Sequence, residues 1–348
     1  MLKVKKIQRK YLLTVQALVI LCMFCFILFY NLTRFRIIIL HSYSSQVPET
    51  LLFNEGFSKI NNNVQNPYLV YTYMNMGLAS CEHDRMRLGS KIRRFIQEFN
   101  PDILVAVGEE AQEYAARYRD KNLKMQVVFS GIRRSQPYGY EHLPRITGVL
   151  EQLPVQAIKA VLSNILQIIA PHQESFSLVF LGDKSFRVSM EKNYILEQSW
   201  TPFKVTLFSQ LETFDDWRQE ITQLKKGPGV LFLLEYNHLR AKRGHPTMVS
   251  SKEVLEWTLA NSPYPVVGLY EHHFYEGVPL SISSSAKESG EKAASLVQSL
   301  IDGKNPGELS ALKTDQFMVG INKIKGHDLK IPKSFEVIAH TNDRYKEK

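Results

Sequence analysis

Short runs of apolar, β-branched residues bounded by turn residues alternate along most of the chain with longer stretches whose apolar positions recur at i, i+3 and i+4. The runs predict strands at Arg36–His41, Tyr68–Tyr73, Ile103–Val107, Gln126–Phe129, Ser177–Leu181, Lys204–Phe208, Val230–Leu234, Val266–Tyr270 and Leu280–Ser283. Between them the helical period predicts Glu49–Asn62, Cys81–Glu98, Glu109–Arg119, Val155–Ile169, Ser185–Gln198, Phe214–Lys225, Ser251–Asn261 and Ala286–Asp302. Strand and helix in alternation is the pattern of parallel βαβ units. In the helix after Cys81, Met86, Leu88, Ile92, Phe95, Ile96 and Phe99 form a stripe that would cover a sheet. Arg85, Arg87, Lys91, Arg93 and Arg94 fall on its solvated side.

The alternation breaks in three places, at 131–146, at 271–279 and over Thr314–Gly320 with Ile331–Pro332. So many strands in one open sheet would be excessive, and the breaks predict two Rossmann-like α/β lobes joined by a multi-strand hinge. Lobe 1 is expected from residues 36–145 plus 280–311, and lobe 2 from 146–279 plus 312–340. Open α/β sheets bind ligands at the carboxyl ends of their strands, so a cleft between the lobes is the expected site.

The first 36 residues follow a different pattern. An uncharged run from Tyr11 to Leu32 lies between a basic tail at 1–10 and the pair Arg34 and Arg36. As a helix it spans about 30 Å, the thickness of a bilayer's hydrocarbon. It ends without the small-residue site of a cleaved signal. Leu21 and Phe24 precede Cys22 and Cys25 where a lipid-modified cysteine would want a small residue. The run is therefore read as an uncleaved signal anchor at 11–32. The basic tail places the N-terminus in the cytoplasm and the rest in the periplasm or extracytoplasmic space of a bacterial inner-membrane protein.

Charge then changes little. Of the formal +9, residues 1–36 carry +7 and no acid, which leaves +2 for the remainder and no basic face for nucleic acid. Of the three cysteines only Cys81 is exported, so no internal disulfide is expected there. Cys81, Glu82, His83 and Asp84 are consecutive at a helix start and cannot converge on one ion, so no metal is expected.

Several stretches carry a family resemblance: RIIILHSYSSQVPETLLFNEGF at 36–57, YTYMNMG at 71–77, NPDILVAVGEEAQEYA at 100–115, MQVVFSGI at 125–132 and ITGVLEQLPVQAIKAVL at 146–162. EKAASLVQSLIDGKNPGEL at 291–309 and VGINKIKGHDLKIP at 319–332 look like a return helix and a closing segment. In this order and spacing the chain resembles the ABC-transporter substrate-binding proteins of the type I periplasmic binding protein fold, a family also used as extracytoplasmic sensor domains. It departs from the family at Gly108-Glu109-Glu110-Ala111, where members often have an acidic pair followed by Asn, which implies a pocket altered in size. Lys323, Ile324 and Lys325 depart where the family has small and aliphatic residues.

Candidate ligand-binding residues follow from the strand ends. His41, Ser42 and Tyr43 form a polar cup ahead of a helix, although Ser44 or Ser45 as a helix cap explains the local hydroxyls equally. Gly108, Glu109 and Glu110 suit a cationic or polyhydroxyl ligand, while acids there also answer the helix dipole. Ser130 and Gly131 end the fourth strand. Asp183, Glu235, Tyr236 and Asn237 are expected from lobe 2, with Tyr270 and Glu271 at the second break.

Catalytic patterns are lacking: there is no G-x-S-x-G, no P-loop, no dinucleotide fingerprint and no H-E-x-x-H. His272 and His273, read as an extended segment, would point to opposite sides, so at most one reaches the cleft. The expectation is a non-enzymatic, cofactor-free, membrane-anchored binding protein that closes on a small polar solute such as an amino acid, sugar or nucleoside. It would serve ABC-type uptake through a permease, or ligand sensing through a membrane partner. No second span, kinase or cyclase pattern follows the anchor, which would place any signalling output on another chain. A membrane-anchored two-lobe glycosyltransferase-like enzyme has the same outward plan and is the alternative, with the lack of a D-x-D motif against it.

Overall fold

The computed structural model describes residues 2–62, 67–79, 81–118, 124–141, 143–169, 176–245, 247–322 and 340–342. The first lobe opens with β1 (Arg36–His41), β2 (Tyr68–Tyr73), β3 (Ile103–Val107), β4 (Gln126–Ile132) and β5 (Ile146–Leu150). The second holds β6 (Ser177–Asp183), β7 (Lys204–Leu211), β8 (Gly229–Leu233), β9 (Val266–Gly268) and β10 (Leu280–Ser284). The late strands are β11 (Leu312–Lys313), β12 (Phe317–Asn322) and β13 (His340–Asn342). They make a parallel sheet ordered β11-β5-β4-β3-β1-β2 and a second sheet ordered β13-β12-β10-β9-β8-β6-β7, in which β10 and β12 run antiparallel.

The helices are α1 (Leu2–Thr33), α2 (Pro48–Phe57), α3 (Glu82–Phe99), α4 (Glu109–Tyr114), α5 (Val155–Ile169), α6 (Phe186–Leu196), α7 (Phe214–Gln223), α8 (Ser251–Asn261), α9 (Glu271–Glu276) and α10 (Ala286–Ile301). Apart from α1 they pack on the two sheets, and the inner strands β1, β3, β6 and β8 read as near-continuous apolar runs. In β1, Ile38 and Leu40 face one core and Ile37 and Ile39 the other. In β6, Leu178 and Phe180 divide from Val179 and Leu181 in the same way. The expected stripe of α3 packs on its sheet except for Met86, which stays exposed.

Two of the expected lobe boundaries shift. The break at 131–146 does not leave lobe 1, because β5 returns to pair with β4, and the chain crosses over only at 151–154. The segment after β9 is not a hinge: it is the short helix α9, and β10 follows it in the same sheet. The true second crossing is at Ser285, after which α10 packs on lobe 1. The third lies between β11 and β12, since β11 pairs with β5 in lobe 1. Glu288, in the first turn of α10, ties two of these crossings together by accepting the backbone N–H groups of Asp315 at 3.1 Å and Gln316 at 2.8 Å. Lys323–Lys325 and Ile331–Pro332 lie outside the described residues.

The return helix seats closely. A Cβ on Gly290 would stand 2.1 Å from the carbonyl oxygen of Phe53, and one on Gly56 would stand 2.0 Å from that of Lys287. Two glycines thus let α10 and α2 touch backbone to backbone, which fixes α2 and its cleft-facing start against the hinge. Among the described residues no helix is long and apolar enough to cross a membrane. In α1 side chains are described from residue 13 to residue 29, and there its large apolar groups are exposed, Leu18 at 61% and Phe26 at 70%.

Candidate ligand-binding cleft

A cavity of about 320 Å³ lies between the lobes, at the carboxyl ends of β1, β3 and β4 on one side and of β8, β9 and β10 on the other. Of the residues expected from sequence, His41, Ser42, Tyr43, Gly108, Glu109, Gly131, Glu235, Asn237, Tyr270 and Glu271 line it. Glu110, Ser130, Asp183 and Tyr236 do not. Glu110 sits behind the wall and accepts from the Tyr43 hydroxyl at 3.1 Å. Ser130 is buried in β4. Asp183 points back into its own lobe, where it accepts from the N–H groups of Ser185 and His238, each at 2.9 Å. Tyr236 stacks on His273 and donates its hydroxyl to Glu276.

Some lining residues are there for structure. Ser42 Oγ donates to the Val107 carbonyl at 3.0 Å and accepts from the N–H of Ala111 at 2.9 Å, which joins β1 to the start of α4. Gly108, at φ +94°, is where a Cβ would strike that Oγ. His41 donates Nε2–H to Asn54 at 2.8 Å, and burial holds it down at about 4, so it is a neutral ring.

Sequence reasoning missed the principal electrostatic feature, a chain of alternating charges that crosses between the lobes twice. Glu49 on α2 lies 2.5 Å from His272 Nδ1 on α9, and His272 Nε2 is 3.6 Å from Glu235. Glu235 accepts from Arg187 Nη1 at 2.9 Å, and Arg187 Nε is 3.7 Å from Glu191 on the same helix, α6. Glu191 is 3.4 Å from Arg133 Nε, back in lobe 1, and Arg133 Nη1 is 3.9 Å from the carboxylate of Glu151 at the first hinge crossing. Arg133 Nη1 also donates to the Glu151 carbonyl at 3.1 Å. The guanidinium carbon of Arg187 lies over the Tyr270 ring, 3.8 Å from its centroid.

Burial sets the protonation states. For Glu49, desolvation pushes upward, but the charge and hydrogen bond of His272 outweigh it and hold the carboxylate down at about 2. Burial alone would lower His272; the charges of Glu49 and Glu235 overcome it and raise the ring to about 10, so it is an imidazolium. Glu109 and Glu271 lack so close a cation. Burial pushes each up to about 8, against a hydrogen bond from Tyr138 to Glu109 and one from the Ala286 N–H to Glu271. Burial raises Glu235 as well, with His272 and Arg187 opposing.

The two adjacent histidines also differ from expectation. Because α9 is helical, His272 and His273 are about 100° apart rather than opposed. His272 reaches the cleft and His273 packs inward against Tyr236. With Glu276 they bring potential donor atoms within 4.8 Å of one another. That trio is a poor metal site: Glu49 already holds His272, and Glu276 receives the Tyr236 hydroxyl. His273 Nδ1 accepts the Tyr270 N–H at 3.4 Å, which leaves its proton on Nε2.

No protein-family model matches the chain, and no curated protein does. Solved structures are similar in fold. A conserved domain protein from Vibrio cholerae is 16% identical with a TM-score of 0.63, over 89% of this chain and 99% of that one. The ABC domain from Streptococcus pneumonia in complex with L-Trp is 12% identical with a TM-score of 0.64, over 89% and 99%. The ligand-free, open structure of CD0873, a substrate binding protein with adhesive properties from Clostridium difficile, is 14% identical with a TM-score of 0.59, over 88% and 99%. The chain has the two-lobed fold of ABC-transporter substrate-binding proteins, the type I periplasmic binding protein architecture.

Proposed function

We propose that this chain is a membrane-anchored extracytoplasmic solute-binding protein that closes its two lobes on a small polar ligand. The observation that carries the reading is the cavity of about 320 Å³ whose wall is shared between two lobes joined by three hinge crossings. A ligand held by both walls binds the closed arrangement better than the open one, and so shifts that equilibrium. Similar folds are named for substrate binding and for an L-Trp complex, which supports ligand capture as the role. The closed form would be presented to an ABC-type permease for uptake, or to a membrane partner for sensing.

The anchor is the second part of the reading. Apolar side chains exposed around α1 would cost about 25 cal/mol per Å² if left in water, and a bilayer removes that cost.

Native mass spectrometry of the full chain, released gently from neutral detergent and compared with denatured and refolded protein, tests the first part. A small co-purifying mass lost on refolding is expected; its absence, with no thermal shift from amino acids, sugars or nucleosides, counts against solute binding. Alkaline carbonate washing of membranes tests the second. The chain should stay in the pellet, and release into the wash overturns the anchor.

A further inference from the structure

The charge inventory of the cleft narrows the ligand class, an inference that rests on the solute-binding reading. Six carboxyl groups line the cavity, those of Glu49, Glu109, Glu151, Glu235, Glu271 and Glu276. The cations beside them are already engaged. Arg187 donates to Glu235 and lies over the ring of Tyr270. Arg133 lies between Glu191 and Glu151, and His272 between Glu49 and Glu235. His238, at the rim, faces Asp183 at 3.2 Å.

A ligand carboxylate or phosphate would need a free cation or the free N–H groups of a helix start. The cleft-facing helix starts carry their own acids instead. Glu49 stands in the first turn of α2, Glu109 and Glu110 in that of α4, and Glu271 in that of α9. Glu271 also accepts the Ala286 N–H that opens α10, at 3.1 Å.

What the cleft leaves unanswered is mostly acceptor capacity; the unpartnered ring N–H in the wall, His272 Nε2, faces the Glu235 carboxylate at 3.6 Å. Glu49 Oε2 and Asn237 Oδ1 are buried in the wall with no hydrogen-bond partner. Independently of the acids, the hydroxyl of Ser283 faces the cavity unpartnered from a residue only 2% exposed. A buried acceptor without a donor bears its desolvation uncompensated, and a ligand N–H can recover that loss. Beside these groups lie Val47, Pro48, Phe53 and the rings of Tyr43, Tyr270 and Tyr275, a surface for hydrocarbon. Arg187 lying on Tyr270 shows that this wall already accepts a planar cation on an aromatic face.

We propose that the cleft takes a small organic cation without a carboxylate, an amine or guanidine on an apolar body, whose charged head is answered by Glu49, Glu109, Glu271 and the Ser283 hydroxyl. Glu109 and Glu271 hold protons in the absence of such a charge, because burial favours their neutral form. A cation at the wall reverses that preference, so binding releases protons to solvent.

The test is isothermal titration of the full chain in neutral detergent at pH 7, after refolding to remove any co-purified solute. Agmatine, putrescine and phenethylamine serve as cations, with L-tryptophan, L-glutamate and glucose as zwitterion, anion and neutral solute. At least one cation should bind, with a heat that varies with the buffer's ionisation enthalpy because protons are released. Glu271→Gln, which keeps an oxygen for the Ala286 N–H, should weaken that cation at least tenfold while circular dichroism stays unchanged. The assignment is overturned if the zwitterion, anion or sugar binds and no cation does, or if Glu109→Gln/Glu271→Gln binds the cation with parental affinity. In the first case solute binding itself still stands. If all six are silent, the co-purified mass decides: a cation lacking a carboxylate supports the assignment, and any other solute overturns it. Silence with no co-purified mass removes both readings.

Discussion

Arg133→Met should lower the unfolding free energy by about 3–5 kcal/mol, the usual consequence of removing one partner from a buried ion pair. Arg133 is 5% exposed and lies between Glu191 and Glu151, with further donation to the Glu151 carbonyl. Methionine fills much of the space but leaves two carboxylates facing each other across the lobe junction. Glu191 keeps Arg187 and the Tyr270 hydroxyl at 2.8 Å, which favours the lower end of the range. The adjacent Arg134 bridges the same two lobes to Glu197, yet both of those side chains are substantially exposed. Arg134→Met should therefore cost under about 1 kcal/mol. Urea denaturation of the two variants checks the contrast, and an Arg133→Met loss no larger than that of Arg134→Met would sink it. The double variant Arg133→Met/Glu191→Met should recover part of the loss, because the uncompensated charge goes with its partner.

The same contrast explains how such a chain of charges is compatible with lobe motion. Opening would draw Glu49 from His272 and Arg133 from Glu191, but it would admit water to both partners at once. Each ion then regains solvation as it loses its counter-charge, so opening costs far less than deleting one partner within the closed form. The charge chain thus orients the lobes more than it locks them.

Much of the fold was legible because its cause is local. β1, β2 and β3 are short apolar runs, and α5 and α8 have a clear helical period; all five have the bounds that the pattern predicts. β5 was absent from the predicted strands because Ile-Thr-Gly-Val-Leu contains a glycine, which is there so that the ring of Phe129 can lie against the backbone. α9 is too short to show a period, and its aromatic, histidine-rich sequence reads as extended. The strand ends were legible as a ligand surface, since parallel sheets present them together. Arg133, Arg187 and Glu191 were not legible: in sequence a charge is normally a solvated face, and the partners that bury these lie on other elements. Asp183 failed for the opposite reason, because a carboxylate at a strand end can cap its own lobe as readily as it can face a ligand.

Stability should be highest between about pH 5 and 6.5 and decline from there to pH 9. Glu49 is held at about 2, below its ordinary 4.5, so its contribution is complete above pH 4.5 and is lost only as pH falls toward 2. His272 is raised from 6.5 to about 10, so its contribution is complete below pH 6.5 and is lost as pH rises through 10. Glu109 and Glu271 act in the opposite sense to Glu49. Each is lifted from 4.5 to about 8, so the folded chain keeps protons that the unfolded chain has released, which drains stability between those values. Up to pH 6.5 that drain is offset by His41, held at about 4, and His273, held well below 6.5, because the unfolded chain binds the protons these buried rings refuse. The surroundings of Glu109 are the Tyr138 hydroxyl, the Arg133 N–H and the charges of Glu191 and Glu110. Those of Glu271 are the Ala286 N–H and the charges of Glu49, Glu151 and His272. Thermal unfolding from pH 4 to 9 should show the fall above pH 6.5, and Glu109→Gln/Glu271→Gln should make it clearly shallower between pH 6.5 and 8 while leaving the His272 contribution that continues to pH 9. A parental profile level from pH 6.5 to 8, or a double variant with the parental slope in that range, would refute the assignment. A saturating organic cation should flatten the same limb in the parent chain, because it supplies the counter-charge that the two carboxylates lack once they ionise.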